Sequence, residues 1–416
     1  MALTMQVKNA ITRELTKRYR RATKKEKRRI LDELVALTGY NRSYGAYRLR
    51  TWEQTITVSP CSGKTIVLRS DRRLKLTRHR EPVYDEPVRS ALETIWLLSD
   101  CLCGKRLVPY LREVVPILIR YQELTVDELT RQKLLKISAA TIDRSLTQEK
   151  AKYQLKHNAG ARPATSLLNQ IPIKTFAEWT SQEPGFVEID LVAHDGGNAR
   201  GDYNQTLNVT DVATGWTETQ AVKNKAQVWT FAALKDIRAR LPFALRGIHS
   251  DNGSEFINDE LLRYSQQEHL TFTRGRPYRK NDNCYVEEKN YSVVRRNVGY
   301  GRYQGEKDCR LLNELYQSLR PYTNYFLPVL KLKTKARIGS RVTRKYEPAK
   351  TPYRRALDSP VVTEADKQRL TTIYAQLNPA ELRRELTRVQ RRLLKQTRRD
   401  EANERDATVE TESAFR

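Results

Sequence analysis

Residues 249–256 read His-Ser-Asp-Asn-Gly-Ser-Glu-Phe, and residues 276–290 read Arg-Pro-Tyr-Arg-Lys-Asn-Asp-Asn-Cys-Tyr-Val-Glu-Glu-Lys-Asn. Asp251 closes the apolar run 245–248, which reads as a strand. Glu287 follows with 35 residues (252 to 286) between them, inside a stretch of helical character. Upstream, Asp190 interrupts a second strand-like run, 186–192. Three carboxylates on two strands and a helix are expected to converge on divalent metal.

The surrounding pattern gives that convergence a frame. Residues 186–194, 203–212 and 216–222 are β-rich or alternating, with Asp195-Gly-Gly and Ala213-Thr-Gly as turns. Residues 226–240 are helical, placing Val228, Phe231, Leu234 and Ile237 on one face. A short strand (245–250), a helix (259–268), a fifth strand (270–273) and a third helix (285–298) follow. The predicted order is β-β-β-α-β-α-β-α.

That order resembles the RNase H-like fold of retroviral integrases and DDE transposases. The Asp in VEIDLVAH, the Asp in HSDNGSEF, the Glu in YVEEKN and the 35-residue gap carry the resemblance. It covers residues 183–330. It implies that Asp190, Asp251 and Glu287 are catalytic residues and ligands for two Mg²⁺ or Mn²⁺ ions. Phosphodiester cleavage must activate a hydroxyl and stabilise a leaving alkoxide, and a pair of divalent ions does both. Mg²⁺ prefers hard oxygen ligands and keeps waters for the substrate to displace. Without metal, clustered carboxylates raise one another's pKa. Glu288 is the rival of Glu287, but one helical position turns a side chain by about 100°. The family's Val-Glu-x-x-Asn order, here Val286, Glu287 and Asn290, favours Glu287. Asn290 either steadies the site or is a solvated or capping residue. Glu188 shares a strand face with Asp190 by the period of two and is expected at the rim. His249 is a candidate general base, with a structural role as the alternative. The loop 274–283 is basic, and in the family such a loop contacts DNA, so Arg276, Tyr278, Arg279 and Lys280 are candidate contacts. Lys289 and Arg295 are expected to extend that positive surface.

Outside the core the chain is strongly basic. Lys and Arg number 76 against 49 Asp and Glu, a formal charge of +27, which implies a polyanionic partner. The surplus concentrates in residues 1–80 and 331–400. Helical periodicity runs over 7–20 and 24–37, the second opened by a Thr23–Glu26 capping box, and 41–50 form a third, short helix. There Arg42 and Arg48, interleaved with Tyr44 and Tyr47, suit phosphate contact. A hairpin is expected over 55–68 and a basic linker over 71–80. Helices follow at 86–98, 105–121, 125–136 and 138–146. The last pair resembles a helix-turn-helix, making Ser138, Thr141 and Arg144 candidate DNA contacts, with a plain helical hairpin as the alternative. A helix over 306–327 closes the core.

The five cysteines and five histidines form no zinc-finger spacing, so reduced packing thiols are expected. No apolar run reaches membrane-spanning length, and residues 1–10 lack the core of a signal peptide. The expected location is cytoplasmic, at a bacterial nucleoid.

The resulting expectation is a multidomain α plus α/β chain. Its parts are a helical DNA-binding domain (1–82), a second helix-turn-helix-like domain (83–150), a linker (151–182) and an RNase H-like core with a mixed five-stranded sheet (183–330). A basic arm or small β unit (331–360), a helical hairpin (361–400) and a disordered tail (401–416) complete it. The implied function is a bacterial insertion-sequence transposase or integrase. It binds element ends, cleaves a strand at each and joins it to target DNA. It works as a homo-oligomer, with an ATPase helper in some relatives. Alternatives are a DNA-binding regulator derived from such an enzyme, or an RNase H-superfamily nuclease.

Overall fold

The computed structural model describes residues 3–53, 55–58, 66–69, 83–152, 183–251, 253, 255–256, 258–276 and 283–414. The chain forms two compact units, Met1–Val83 and Tyr84–Arg416.

The first unit holds α1 (Met5–Arg21), α2 (Lys24–Thr38), α3 (Arg42–Thr51) and an antiparallel pair, β1 (Thr55–Val58) with β2 (Ile66–Arg69). Leu15, Ile30, Leu34 and Leu49 form its core. At the start of α2, the Thr23 N–H donates to Glu26 Oε2 at 2.8 Å, satisfying a first-turn donor. Gly39 ends the helix at φ 67°, where a side chain would be strained. The predicted basic linker 71–80 lies outside the described residues.

In the second unit, α4 (Glu86–Leu98), α5 (Gly104–Arg120), α6 (Glu128–Lys136), α7 (Ala139–Ser145) and α8 (Thr147–Lys152) precede the sheet. The sheet contains β3 (Phe186–Ala193), β4 (Gln205–Asp211), β5 (Thr217–Val222), β6 (Gly247–Ser250) and β7 (Thr271–Arg274). Their spatial order is β5-β4-β3-β6-β7, antiparallel on the β5-β4-β3 side and parallel from β3 to β7. Helix α9 (Gln227–Arg240) leads into β6, and α10 (Asp259–Gln267) into β7. This mixed five-stranded sheet is consistent with an RNase H-like core.

Helix α11 (Cys284–Lys289) continues through a π-helical turn (Asn290–Arg295) into α12 (Arg296–Val298). The single helix expected over 285–298 is therefore widened in its middle. Next come α13 (Gly305–Pro321) with its own π turn (Tyr322–Phe326), the hairpin β8 (Leu332–Ile338) and β9 (Arg341–Tyr346), then α14 (Pro352–Asp358), α15 (Glu364–Gln376) and α16 (Pro379–Ala414). The tail expected to be disordered continues α16 to Ala414. Its Glu, Ala and Arg are strong helix formers, and low hydrophobicity alone does not forbid a helix.

The helices over 86–146 pack on one another and on α16, and their buried side chains run on without a gap into the rest of the second unit. Val88, Ile95, Trp96, Leu111 and Ile142 share one apolar cluster with Val187, Ile189, Leu207 and Ile248 of the sheet. Polar clasps reinforce the join. Arg106 Nε donates to Pro328 O at 2.5 Å, and Arg296 bonds Asp100 O at 2.9 Å. Arg354 Nε lies 2.9 Å from Glu113. Periodicity marks which helix face is apolar but not what covers it, so the predicted boundary near 150 is not a break in packing.

The outer edge of β5 is closed by side-chain amides. Asn313 Oδ1 accepts from Ala221 N–H at 2.8 Å and its Nδ2 donates to Ala221 O at 3.0 Å. Asn324 does the same for Thr217, at 2.9 Å both ways. These bonds stand where a further strand would pair. Asn324→Ala is expected to leave two buried main-chain groups unmatched and to cost about 1–3 kcal/mol in chemical denaturation; an unchanged midpoint would show that water serves the edge equally well. Among the described residues, no helix is long and apolar enough to cross a membrane.

Candidate active site

β3 and β6 run parallel, with Glu188 opposite His249 and Ile189 opposite Ser250. The next residues along the two strands are Asp190 and Asp251. The crossing is close because Gly247 lacks a side chain: a Cβ there would stand 2.7 Å from the Phe186 ring and 2.9 Å from Thr271 O. The sheet register thus brings together two of the three predicted carboxylates.

Asp190 Oδ2 accepts from Asn290 Nδ2 at 2.6 Å, and Oδ1 accepts from Leu191 N–H at 2.8 Å. Burial and then the charge of Asp251 push the Asp190 carboxyl up to about 7, against the Asn290 and Leu191 bonds, and Glu287 adds to the rise. Burial also raises Asp251, against one bond from Gly253 N–H at 3.0 Å. Such a pair resists double ionisation unless a cation intervenes.

The third carboxylate arrives on α11. That helix packs on β3 and β4, and the charge of the exposed Glu287 raises both Asp190 and Glu188. Glu288 turns the other way. Its carboxylate lies 3.0 Å from Lys289 Nζ. Burial lifts Glu288, but Lys289 and Arg106 outweigh it and the net shift is downward. Among the described residues, no group of three or more His, Cys, Asp or Glu side chains stands gathered for a metal ion.

Two anchors fix α11 on either side of Glu287. At its start, Glu188 Oε2 accepts from Val286 N–H at 2.8 Å. One turn later, Asn290 Oδ1 accepts from Asn208 Nδ2 at 2.8 Å while its own amide holds Asp190. The π turn begins at Asn290, and such turns recur at functional sites. The expected rim position of Glu188 is corrected here. It is fully buried, and burial pushes it up to about 8 against the bonds from Val286 and Tyr285. A helix start docked onto the sheet, invisible in strand alternation, accounts for this. Asn208 was not singled out in the sequence. Its signal was a lone amide between Leu207 and Val209 in a strand buried throughout. His249 is fully buried with Nδ1 2.8 Å from Thr273 Oγ1, a packing position inside the sheet.

The predicted DNA contacts separate by environment. Arg42 is exposed and paired with Asp32. Arg48 bonds Asn9 Oδ1 at 2.8 Å and stacks 4.3 Å from the Trp52 ring, so it is committed to packing within its unit. Ser138 caps α7, accepting from Thr141 N–H at 3.2 Å, and Arg144 is exposed beside Thr141. α6 and α7 meet across a short break as predicted, and Gly104 fits so tightly against α7 that a Cβ would lie 2.3 Å from Ala139 O. Arg276 is exposed. Tyr278, Arg279 and Lys280 lie outside the described residues. Lys289 and Arg295 are corrections. Lys289 is buried against Glu288, and Arg295 donates to Ala193 O at 2.6 Å, tying the π turn to β3. Helical spacing alone did not reveal that this face of the helix is covered.

A mixed five-stranded sheet with Asp190 inside one strand and Asp251 just past its parallel neighbour is consistent with an RNase H-like core. The chain belongs to the same family as the uncharacterized protein y4rM of Sinorhizobium fredii (strain NBRC 101917 / NGR234), with 37% identity over 353 residues, 85% of this chain and 96% of that one. No family model matches it. Among solved structures it is similar to the catalytic core domain of BIV integrase, with 18% identity and a TM-score of 0.28, covering 41% of this chain and 91% of that one. It is also similar to the HTLV-2 integrase catalytic core domain in complex with magnesium, with 15% identity and a TM-score of 0.27, covering 35% of this chain and 90% of that one.

Proposed function

We propose that the chain is a DDE-type DNA strand-transferase, acting on the ends of a mobile element and on target DNA. The observation that carries this reading is the β3–β6 register that sets the buried Asp190 beside Asp251, with the charges of Asp251 and Glu287 both raising the Asp190 carboxyl. The donor set is oxygen only and suits Mg²⁺ or Mn²⁺. Asp190, Asp251 and Glu287 would hold two such ions. When bound, the metal supplies charge stabilisation at the phosphodiester and lowers the pKa of the attacking water or hydroxyl.

The chain's own residues do the positioning. Asn290 fixes the Asp190 carboxylate, Asn208 fixes Asn290, and Glu188 holds the start of the helix bearing Glu287. Arg42, Ser138, Thr141, Arg144, Arg276, Tyr278, Arg279 and Lys280 are the proposed contacts to DNA. Pairing two element ends calls for a homo-oligomer, and a cytoplasmic, nucleoid-bound location follows from the substrate.

The test is a strand-cleavage and joining assay with Mn²⁺ or Mg²⁺ and DNA carrying the element's own terminal repeats. Glu287→Gln is expected to remove both products, while Glu288→Gln keeps cleavage within about tenfold of wild type, since the loss of a metal ligand typically dwarfs the loss of a neighbouring ion pair. Binding without cleavage by the wild type would favour a regulator. Cut products that are never joined would favour a simple nuclease.

A further inference from the structure

The longest helix presents a charge pattern that the active site does not use. Along α16, Leu386, Val389 and Leu393 are buried against Leu312, Leu315 and Leu319 of α13. Arg384, Arg388, Arg391, Arg392 and Lys395 recur on the opposite face at helical spacing, and all are exposed.

This face borders two grooves. One, of about 860 Å³, lies between α16 and the ends of α4 and α5, floored by Leu97, Leu98 and Leu124. The only carboxylate lining it, Glu123, is held by Arg384 at 2.6 and 2.7 Å and by Asn378 at 2.9 Å. The other, of about 410 Å³, lies on the α13 side, shares Arg392 and Lys395, and adds Lys307 and Arg310. Its carboxylate, Glu314, is bonded by Arg392. Each acid in the two grooves is therefore already matched. Among the described residues, Arg310, Arg391 and Lys395 make no ion pair.

We propose that α16 and its two flanking grooves form a sequence-independent surface for the phosphate backbone of duplex DNA. A rigid helix anchored by its apolar stripe holds fixed cations on both of its shoulders, and a polyanion meets both at once. The acidic stretch 400–412 of a second copy is the other chemistry that suits arginine. One helix fills one groove, however, and leaves the cations on the far shoulder uncompensated. The surface needs no metal and stands whether or not the carboxylates cleave DNA.

The test uses the full-length chain, EDTA and a labelled duplex of arbitrary sequence, titrated across a salt series. Arg310→Gln, Arg391→Gln and Lys395→Gln combined remove three exposed cations without breaking a described ion pair, so the thermal midpoint should hold. Each phosphate contact contributes about 0.9 to the slope of log affinity against log salt, so the slope should fall by about 2–3 and binding weaken by at least ~10-fold at 0.1 M salt. A control of equal charge change elsewhere, Arg112→Gln with Lys235→Gln and Arg263→Gln, should leave the slope near wild type. An unchanged slope in the α16 variant overturns the proposal, as does an equal loss in the control. Unchanged DNA binding with loss of self-association in sedimentation also overturns it, and assigns the grooves to a second copy.

Discussion

Asparagine in place of Asp190 is expected to raise the melting temperature of the metal-free protein at pH 8 and to leave it without strand-cleaving activity. The stability half follows from linkage. In the fold Asp190 is pushed up to about 7 and Glu188 to about 8, whereas unfolded Asp and Glu ionise near 4. Between those limits the folded state holds protons that the unfolded state has released. Stability of the metal-free protein therefore falls as pH rises from about 4 to about 8, then levels. His194 acts with the opposite sign. Burial pushes it down to about 3, so it contributes stability above its unfolded value near 6.5 and loses it as pH falls. Between about pH 6.5 and 8 the carboxyls dominate, with Lys331, pushed down to about 8 by burial, entering only at the upper end, and comparing wild type with the asparagine variant cancels it. Each pKa unit is worth about 1.4 kcal/mol, so the Asp190 penalty at pH 8 is on the order of a few kcal/mol. Asparagine cannot ionise and still accepts from the Asn290 amide. A cation should relieve the same strain, so Mg²⁺ or Mn²⁺ should stabilise the wild type at pH 8 and the asparagine variant little. Calorimetric melting with EDTA and with metal reads both. Equal midpoints for the two proteins at pH 8, or equal gains from metal, would remove the electrostatic basis of the site.

Strand alternation and turn residues were sufficient to locate all five strands of the sheet to within two residues at most ends, because each strand is buried and its pattern is set by what it buries. The two residues Asp190 and Asp251 were legible as a pair of carboxylates, but their proximity comes from the β3–β6 register, which sets Asp190, inside β3, beside the residue that follows β6. What the sequence concealed depends on docking. Glu188 and Lys289 are charged residue types that are mostly exposed in proteins; the seating of α11 on the sheet covers Glu188, and Lys289 is buried beside Glu288 and Arg106. Asn208 became meaningful once Asn290 was seen to reach it. The π turn has no periodic signature at all. The helices over 86–146 read as a domain because their apolar faces are self-consistent and pack on one another, yet α16, far away in the sequence, also packs on α4 and α5.

Glu188→Ala is expected to be the most damaging change that touches none of the three proposed metal ligands. Glu188 bonds the backbone at the start of α11, so its loss frees Val286 N–H in a buried place and lets the helix shift. A displacement of about 1 Å at a reacting geometry costs on the order of 100-fold in rate, and Glu287 sits directly after the released amide. Glu188→Gln keeps an acceptor for Val286 N–H and removes a buried group whose ionisation above about pH 8 would cost stability, so it should retain most of the activity and melt at least as high as wild type. The pair of variants separates positioning from bulk stability. If Glu188 were only a structural carboxyl, both would track the melting temperature. If it positions the helix, alanine should lose rate at temperatures where the protein is fully folded, and the Val286 amide should exchange with solvent faster in alanine than in glutamine. Duplex binding through α16 should be unchanged in both, because Glu188 is fully buried and lies on β3. A glutamine variant as slow as alanine would show that the charge of Glu188, not its bond to α11, is what the site requires.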